Sequence, residues 1–129
     1  MARVNPAARE LILARLQPHA LAGAQAAAGV LREKLSGEGS GRQYPSLPNR
    51  SSTRQEYPAE QSAALLESVG ARDSGRPGLA EFGPINDPPD YVTALHFRPP
   101  EDGGRPFMDD ALHDLDVQRA VAAALGVRR

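Results

Sequence analysis

"GLAEFGPINDPPDYVTALHF", residues 78 to 97, decides the fold class. Its first part, "GLAEFGPI", is a short candidate strand that stops at Pro84. Its last part, "DYVTALHF", alternates Tyr91, Thr93, Leu95 and Phe97 against Val92, Ala94 and His96, the two-residue period of a strand. "NDPPD" between them is a turn. The two runs form a small antiparallel sheet, and everything on either side of them reads as helix or loop.

Working outward toward the N-terminus, Asn5 followed by Pro6 opens a helix. The asparagine side chain can cap, and proline at the first helical position loses no needed N–H. Leu11, Ile12, Leu16, Ala20, Ala24, Ala27, Leu31 and Leu35 continue it as one stripe, with Pro18 expected to bend or split it and Gly37 to cap its end. Alanine dominates that stripe, so it permits close approach but buries little area. Residues 36–57 lose all periodicity and are rich in glycine, proline and serine. So long an irregular stretch within one domain tends to be functional or to order against a partner. "PAEQSAALLESVGARD" then reads as a second helix, opened by Pro58 and closed near Gly70, with Ala59, Ser62, Leu65, Leu66 and Val69 inward. A final helix runs from about Pro106 to Leu125. The class is α+β in a single domain, 1–129: an N-terminal helix (1–35), an extended loop (36–57) and a helix–sheet–helix body (58–126).

Composition narrows the function. Hydrophobic residues make up 40% of 129, and the aromatic ones are Tyr44, Tyr57, Tyr91, Phe82, Phe97 and Phe107, so the core is small and aliphatic. The formal charge of -1 argues against holding nucleic acid by bulk electrostatics. Lys34 is the lone lysine beside abundant arginine and alanine, which fits the codon bias of a GC-rich genome better than a binding signal. Zero cysteines remove disulfides, thiolate nucleophiles and cysteine-ligated zinc. The opening residues carry no apolar signal core, and the alanine-rich run from Ala20 to Leu31 is too short to span a bilayer. A soluble protein is expected.

Chemistry-bearing patterns are thin. "GGRPFMDDALHDLD", residues 103–116, places Asp109 and His113 four apart with Asp116 three further on, a conceivable metal pair or triad. A helix start explains it better, because Asp109 and Asp110 fall in a first turn where carboxylates meet bare N–H groups. Phe107, Ala111, Leu112 and Leu115 would then be buried, with the acids on the wet side. "GEGSG" (37–41) follows a helix and lacks a Gly-Lys-Ser/Thr ending, so it is a hinge, not a phosphate cradle. No Gly-x-Ser-x-Gly elbow exists. His19 reads as a surface residue, and His96 has no recognisable catalytic partner. Arg50 and Arg54 flank a Ser/Thr cluster but are too few to define a nucleic-acid site. No enzyme, no cofactor and no resident metal is expected.

The order of these segments resembles a known family. Glu56, Pro58, Ala59, Ser62, Leu65, Ser68 and Val69 fall on an "E-x-P-A-x-x-S/T-G-x-L-x-x-S-I/V" pattern, preceded by a loop with Tyr44 and Tyr57. Arg105, Pro106, Phe107, Met108, Ala111 and Leu112 fall on a later "R-P-F-hydrophobic-x-x-A-L" helix start. Over residues 40 to 115 the chain resembles the neck, or tail-completion, proteins of long-tailed bacteriophages, relatives of gene product ten of the Hong Kong model siphophage. Two departures stand out. Ala63 replaces the family's glycine, and "HFRPPEDGG" keeps only Phe97 of an "E-F-G-T" segment. The resemblance implies a structural virion protein made in the host cytoplasm, forming a ring at the head–tail joint. Its partners would be itself, in sixfold symmetry, and the stopper, tail-terminator or tail-tube proteins, with at most transient, non-specific DNA contact and no membrane. The 36–58 and 98–106 loops are expected to reach neighbouring subunits, with the motif residues Tyr44, Glu56, Tyr57, Pro58, Ala59, Ser62, Leu65, Val69, Phe97, Arg105, Pro106 and Phe107 at subunit or neighbour contacts, and Asp109, Asp110, Asp114 and Asp116 to face a channel or the outer solvent. A tail terminator fits the same residues, and a small nucleic-acid-binding regulator using the 42–54 arginines is the alternative from another class.

Overall fold

The protein is α+β, with a long helix against a two-stranded sheet and, among the described residues, four shorter helices. The structure, a computed structural model, describes residues 5–37, 39–41, 43, 45–47, 49–50, 52, 56–59, 63–99, 101 and 104–126. Helix α1 is Pro6–Lys34, started by the Asn5 side chain, which accepts from the Ala7 N–H at 2.9 Å, with Pro6 at the first turn. At 1.5 Å per residue it is about 43 Å long. Pro18 lies inside it without splitting it. The helix ends at Lys34 with Leu35 as its cap, ahead of Gly37.

The expected stripe is buried only in the second half of α1. Ala24, Ala27, Ala28, Leu31 and Leu35 lie in the core, whereas Leu11, Ile12 and Leu16 are about half exposed. In the first half the inward positions are Leu13, which meets Gly78, and Gln17, which bonds Asp73 and Leu79.

The sheet pairs other residues than the alternation indicated. Strand β1 (Val69–Asp73) runs antiparallel to β2 (Ala80–Pro84), with Val69 opposite Pro84 and Asp73 opposite Ala80. "GLAEFGPI" therefore does hold a strand, but its partner comes from "VGARD", which reads as helix end in the sequence. The turn between them is closed by the Ser74 hydroxyl, which accepts from the Arg76 N–H. Gly78 has φ +76° with Leu13 packed close to where a Cβ would sit, so this position demands glycine twice over. "DYVTALHF" is not a strand. It forms α3 (Val92–Phe97), because Val92, Leu95 and His96, at helical spacing, turn inward, while Tyr91 and Phe97 stay exposed. The run satisfies both periods, and packing selects the helical one.

The second helix is also shorter than expected. Helix α2 is Ala64–Ser68, and Pro58 and Ala59 precede it in irregular backbone. The final helix is broken in two, α4 (Phe107–His113) and α5 (Leu115–Ala124), at Asp114. That residue is extended (φ -75°, ψ 123°), and its carboxylate accepts from the Asp116 N–H, starting α5 afresh. Because of that break Leu112 and Leu115 point outward, contrary to expectation, and Val117 is buried instead. Helix α5 lies antiparallel to α1: Val121 and Leu125 meet Gly23, while Asp116 meets Lys34 near the other end. The core thus sits around the C-terminal half of α1, where Leu31, Leu35, Leu65, Val69, Phe107, Ala111 and Val117 converge.

Candidate functional site

The segments that carry the family resemblance meet in one place. Phe107 is fully buried, and Leu65 and Val69 pack in the same cluster, with Tyr57 laid against it. Pro58 is buried and Ala59 half-buried. Pro106 caps α4. Glu56 accepts hydrogen bonds from the Ser40 N–H at 3.0 Å and from the Ser40 hydroxyl. Phe97 stands apart, 76% exposed. Tyr44, Ser62 and Arg54 lie outside the described residues.

Two polar ties bind the irregular stretch to the body. The Tyr57 hydroxyl donates to Asp114 Oδ2 at 2.7 Å. The Arg105 guanidinium donates from Nε to Ser52 Oγ at 3.0 Å and from its terminal nitrogen to the Ser52 carbonyl at 2.6 Å. The two loops expected to reach other subunits meet each other here, at Ser52 and Arg105, and residues 56–58 fold onto their own chain. Gly104, next to Arg105, allows its backbone to pass against the Arg98 carbonyl; any Cβ there would overlap that oxygen. This crossing lets the Arg105 N–H reach the Leu95 carbonyl at 2.6 Å.

Asp114 is the electrostatic hub. Partial burial opposes its charge, but the Tyr57 hydroxyl, the Asp116 and Val117 N–H groups and the Lys34 ammonium outweigh it. They hold the carboxyl below the usual carboxylate range. Burial first, then the Asp114 carboxylate, raise the Tyr57 phenol well above an ordinary tyrosine, so it stays a donor. Lys34 Nζ lies 2.6 Å from Asp116 Oδ2 and 3.8 Å from Asp114 Oδ2. The hydrogen bond to Asp116 leads the causes that raise its pKa. The phenol–carboxylate–ammonium chain ties Tyr57, the Asp114 break between α4 and α5, and the end of α1 together.

The other acids are on the surface. Asp109 and Asp110 are exposed in the first turn of α4, and burial together with the Asp109 charge raises the Asp110 pKa. His113 Nδ1 lies 2.9 Å from the Asp109 carbonyl oxygen, the contact of a helical neighbour. Among the described residues no group of three His, Cys, Asp or Glu is placed to hold a metal ion. His96 packs edge-on against Phe107 and Phe97, with Nε2 4.0 Å from Asp109 Oδ1. Arg50 donates to the Gly41 carbonyl, within its own loop. An open groove of about 340 Å3 lies between α1 and the hairpin turn, lined by Ala14, Gln17, Asp73, Gly75, Arg76 and Pro77. Its carboxylate already accepts from Gln17 at 2.5 Å.

No protein-family model, no curated protein and no solved structure matches this chain. Among the described residues no helix is long and apolar enough to cross a membrane. Sequence reasoning missed Lys34 and Ser52 as partners. Lys34, as the lone lysine in a last helical turn, was visible as a helix-end cation; Ser52 carried no signal. It also missed the outward-facing leucines of the α4–α5 break, for which the Asp-Leu-Asp run at 114–116, a fresh N-cap inside a helix, was the available sign.

Proposed function

We propose that the chain is a non-enzymatic structural component of a tailed-phage virion. It would be one subunit of a ring at the head–tail joint, connecting head to tail and letting DNA pass. The observation that carries this reading is the distribution of apolar surface. Leu11, Ile12 and Leu16 on α1, and Leu112 and Leu115 at the α4–α5 break, are 48 to 59% exposed, while the core they leave behind is small. Clustered exposure of this kind marks surfaces that another protein covers. The convergence of Tyr57, Pro58, Leu65, Val69, Arg105 and Phe107 supports it too, since the two stretches resembling the neck family cooperate in one packed unit. Exposed Asp109, Asp110 and Asp116 suit a wall that DNA slides past, because like charge discourages adhesion.

The test is removal of the gene from the phage genome that encodes it, followed by electron microscopy of the lysate. The reading expects normal tails and DNA-filled heads that fail to join. Overlong tails would assign the chain to a tail terminator instead. Intact infectious particles would sink both.

A further inference from the structure

We infer that the break at Asp114 is a latched switch: residues 107–125 can run as one continuous helix, and the contacts of Tyr57 and Lys34 to Asp114 hold them in two. The inference stands whether or not the chain builds a ring. Residues 107–125 contain neither glycine nor proline, the usual covalent reasons for a helix to stop or kink. Their alanines, leucines, methionine, glutamine and arginine are good helix formers. Between α4 and α5 only Asp114 lies outside a helix, at φ -75° and ψ 123°. Turning that one ψ to about -42° would join the two.

The backbone is provided for in either form. The Asp116 N–H now donates to Asp114 Oδ1 at 2.8 Å; in a continuous helix its acceptor is the Leu112 carbonyl, four residues back. That carbonyl is meanwhile held by Gln118 Nε2 at 3.1 Å. The choice is therefore left to side chains, and the apolar ones divide. The broken form buries Val117 and leaves Leu112 and Leu115 59% and 58% exposed. In a continuous helix Leu115, four residues after Ala111, lies on the side of Phe107 and Ala111 that faces the core. Val117, six residues after Ala111, then lies about 120° round from it. Each form buries one face and gives up the other. Asp114 tips the balance, because its extended backbone presents the carboxylate to the Tyr57 hydroxyl at 2.7 Å and the Lys34 ammonium at 3.8 Å. Tyr57 belongs to the irregular stretch, so the seating of that stretch and the course of the C-terminal helix are one event.

The chain has no cysteine, so Leu115→Cys and Val117→Cys each supply a single thiol whose rate of reaction with an aromatic disulfide reads its burial. In the native background the Leu115→Cys thiol should react fast and the Val117→Cys thiol slowly. Adding Asp114→Ala, which removes the whole latch, should reverse that order, with helix content retained by circular dichroism. Tyr57→Phe is the milder variant, deleting one hydroxyl and shifting the equilibrium about tenfold toward the continuous form. There the carbon chemical shifts of residue 114 should move from extended toward helical values while those of the core stay in place. Residue 114 remaining extended in both variants overturns the proposal. So does a folded Asp114→Ala chain in which the Val117→Cys thiol is freed and the Leu115→Cys thiol is not protected. Should Asp114→Ala unfold, the shift of residue 114 in Tyr57→Phe decides alone.

Discussion

The two ends of α1 differ in what the same residue types do. At the C-terminal end, Leu31 and Leu35 are enclosed by Phe107, Val69 and Val117, and Lys34 is tied to Asp116. At the N-terminal end, Leu11, Ile12 and Leu16 are about half exposed, while Leu13 and Gln17 meet the hairpin. Leucine spacing alone is the same in both halves. What differs, among the described residues, is how much of the rest of the chain packs there: the core at one end, the hairpin at the other. One end is therefore stabilised by a packed core and the other by helix propagation with a few contacts to the hairpin at Leu13 and Gln17.

The sharpest way to break this contrast is a truncation at each end. Phe107→Ala removes the largest fully buried side chain and should cost about 3–5 kcal/mol, enough to unfold a marginal domain. Denaturant titration followed by circular dichroism reads it directly. A loss under about 1 kcal/mol would mean that the packed end is not the stabilising one.

The hub at Asp114 comes next in size. Tyr57→Phe deletes a hydrogen bond to a carboxylate and should cost about 1.5 kcal/mol near neutral pH. Because the Asp114 carboxyl titrates below its ordinary value, its contribution is complete above the unfolded value near 4 and is lost as pH falls through the folded one. The stability gap between the native chain and Asp114→Asn should accordingly narrow as pH drops below about 4. A gap that stayed constant through that range would place the carboxylate outside the network.

The contrast itself was not legible in the sequence, where one stripe runs evenly from Leu11 to Leu35, but parts of the fold were, and the failures have physical causes. The Asn5–Pro6 start of α1 is local chemistry, so it reads directly from sequence. "GLAEFGPI" as a strand is local too. The partner of that strand is not: "VGARD" has one buried apolar residue, and its strand character comes from pairing with residues 80–84. "DYVTALHF" fits either period, and only the position of Phe107 and the core decides that Val92 and Leu95 turn inward together. The clamp of Arg105 on Ser52 spans 53 residues, beyond any spacing rule. Of the residues whose helical spacing marked them as inward, Leu65, Val69 and Phe107 are buried in the chain's own core. Phe97 is exposed, since the alternation that placed it belonged to a strand that does not form.

A smaller effect sharpens the boundary between loop and body. Ala63 precedes α2 with φ +63°, a left-handed conformation that costs an alanine about 1 kcal/mol and glycine almost nothing. It is also the position where the resembled family carries glycine. Ala63→Gly should raise stability by up to about 1 kcal/mol, against the usual sign for placing glycine beside a helix. A loss in the thermal midpoint would show that the backbone there is not left-handed.

The smallest expected change in stability belongs to the arm, and its size is the point. Ile12→Ser removes an exposed side chain with no tertiary partner among the described residues, so unfolding free energy should move by no more than about 0.5 kcal/mol. If the proposed ring is joined through the arm, the same substitution should nevertheless lower the sedimentation coefficient of concentrated protein by removing association. A side chain silent in folding and decisive in assembly would then separate the two ends of α1. Were Ile12→Ser to destabilise the monomer as Phe107→Ala does, the arm would be folded against its own chain, and the ends would differ in degree only.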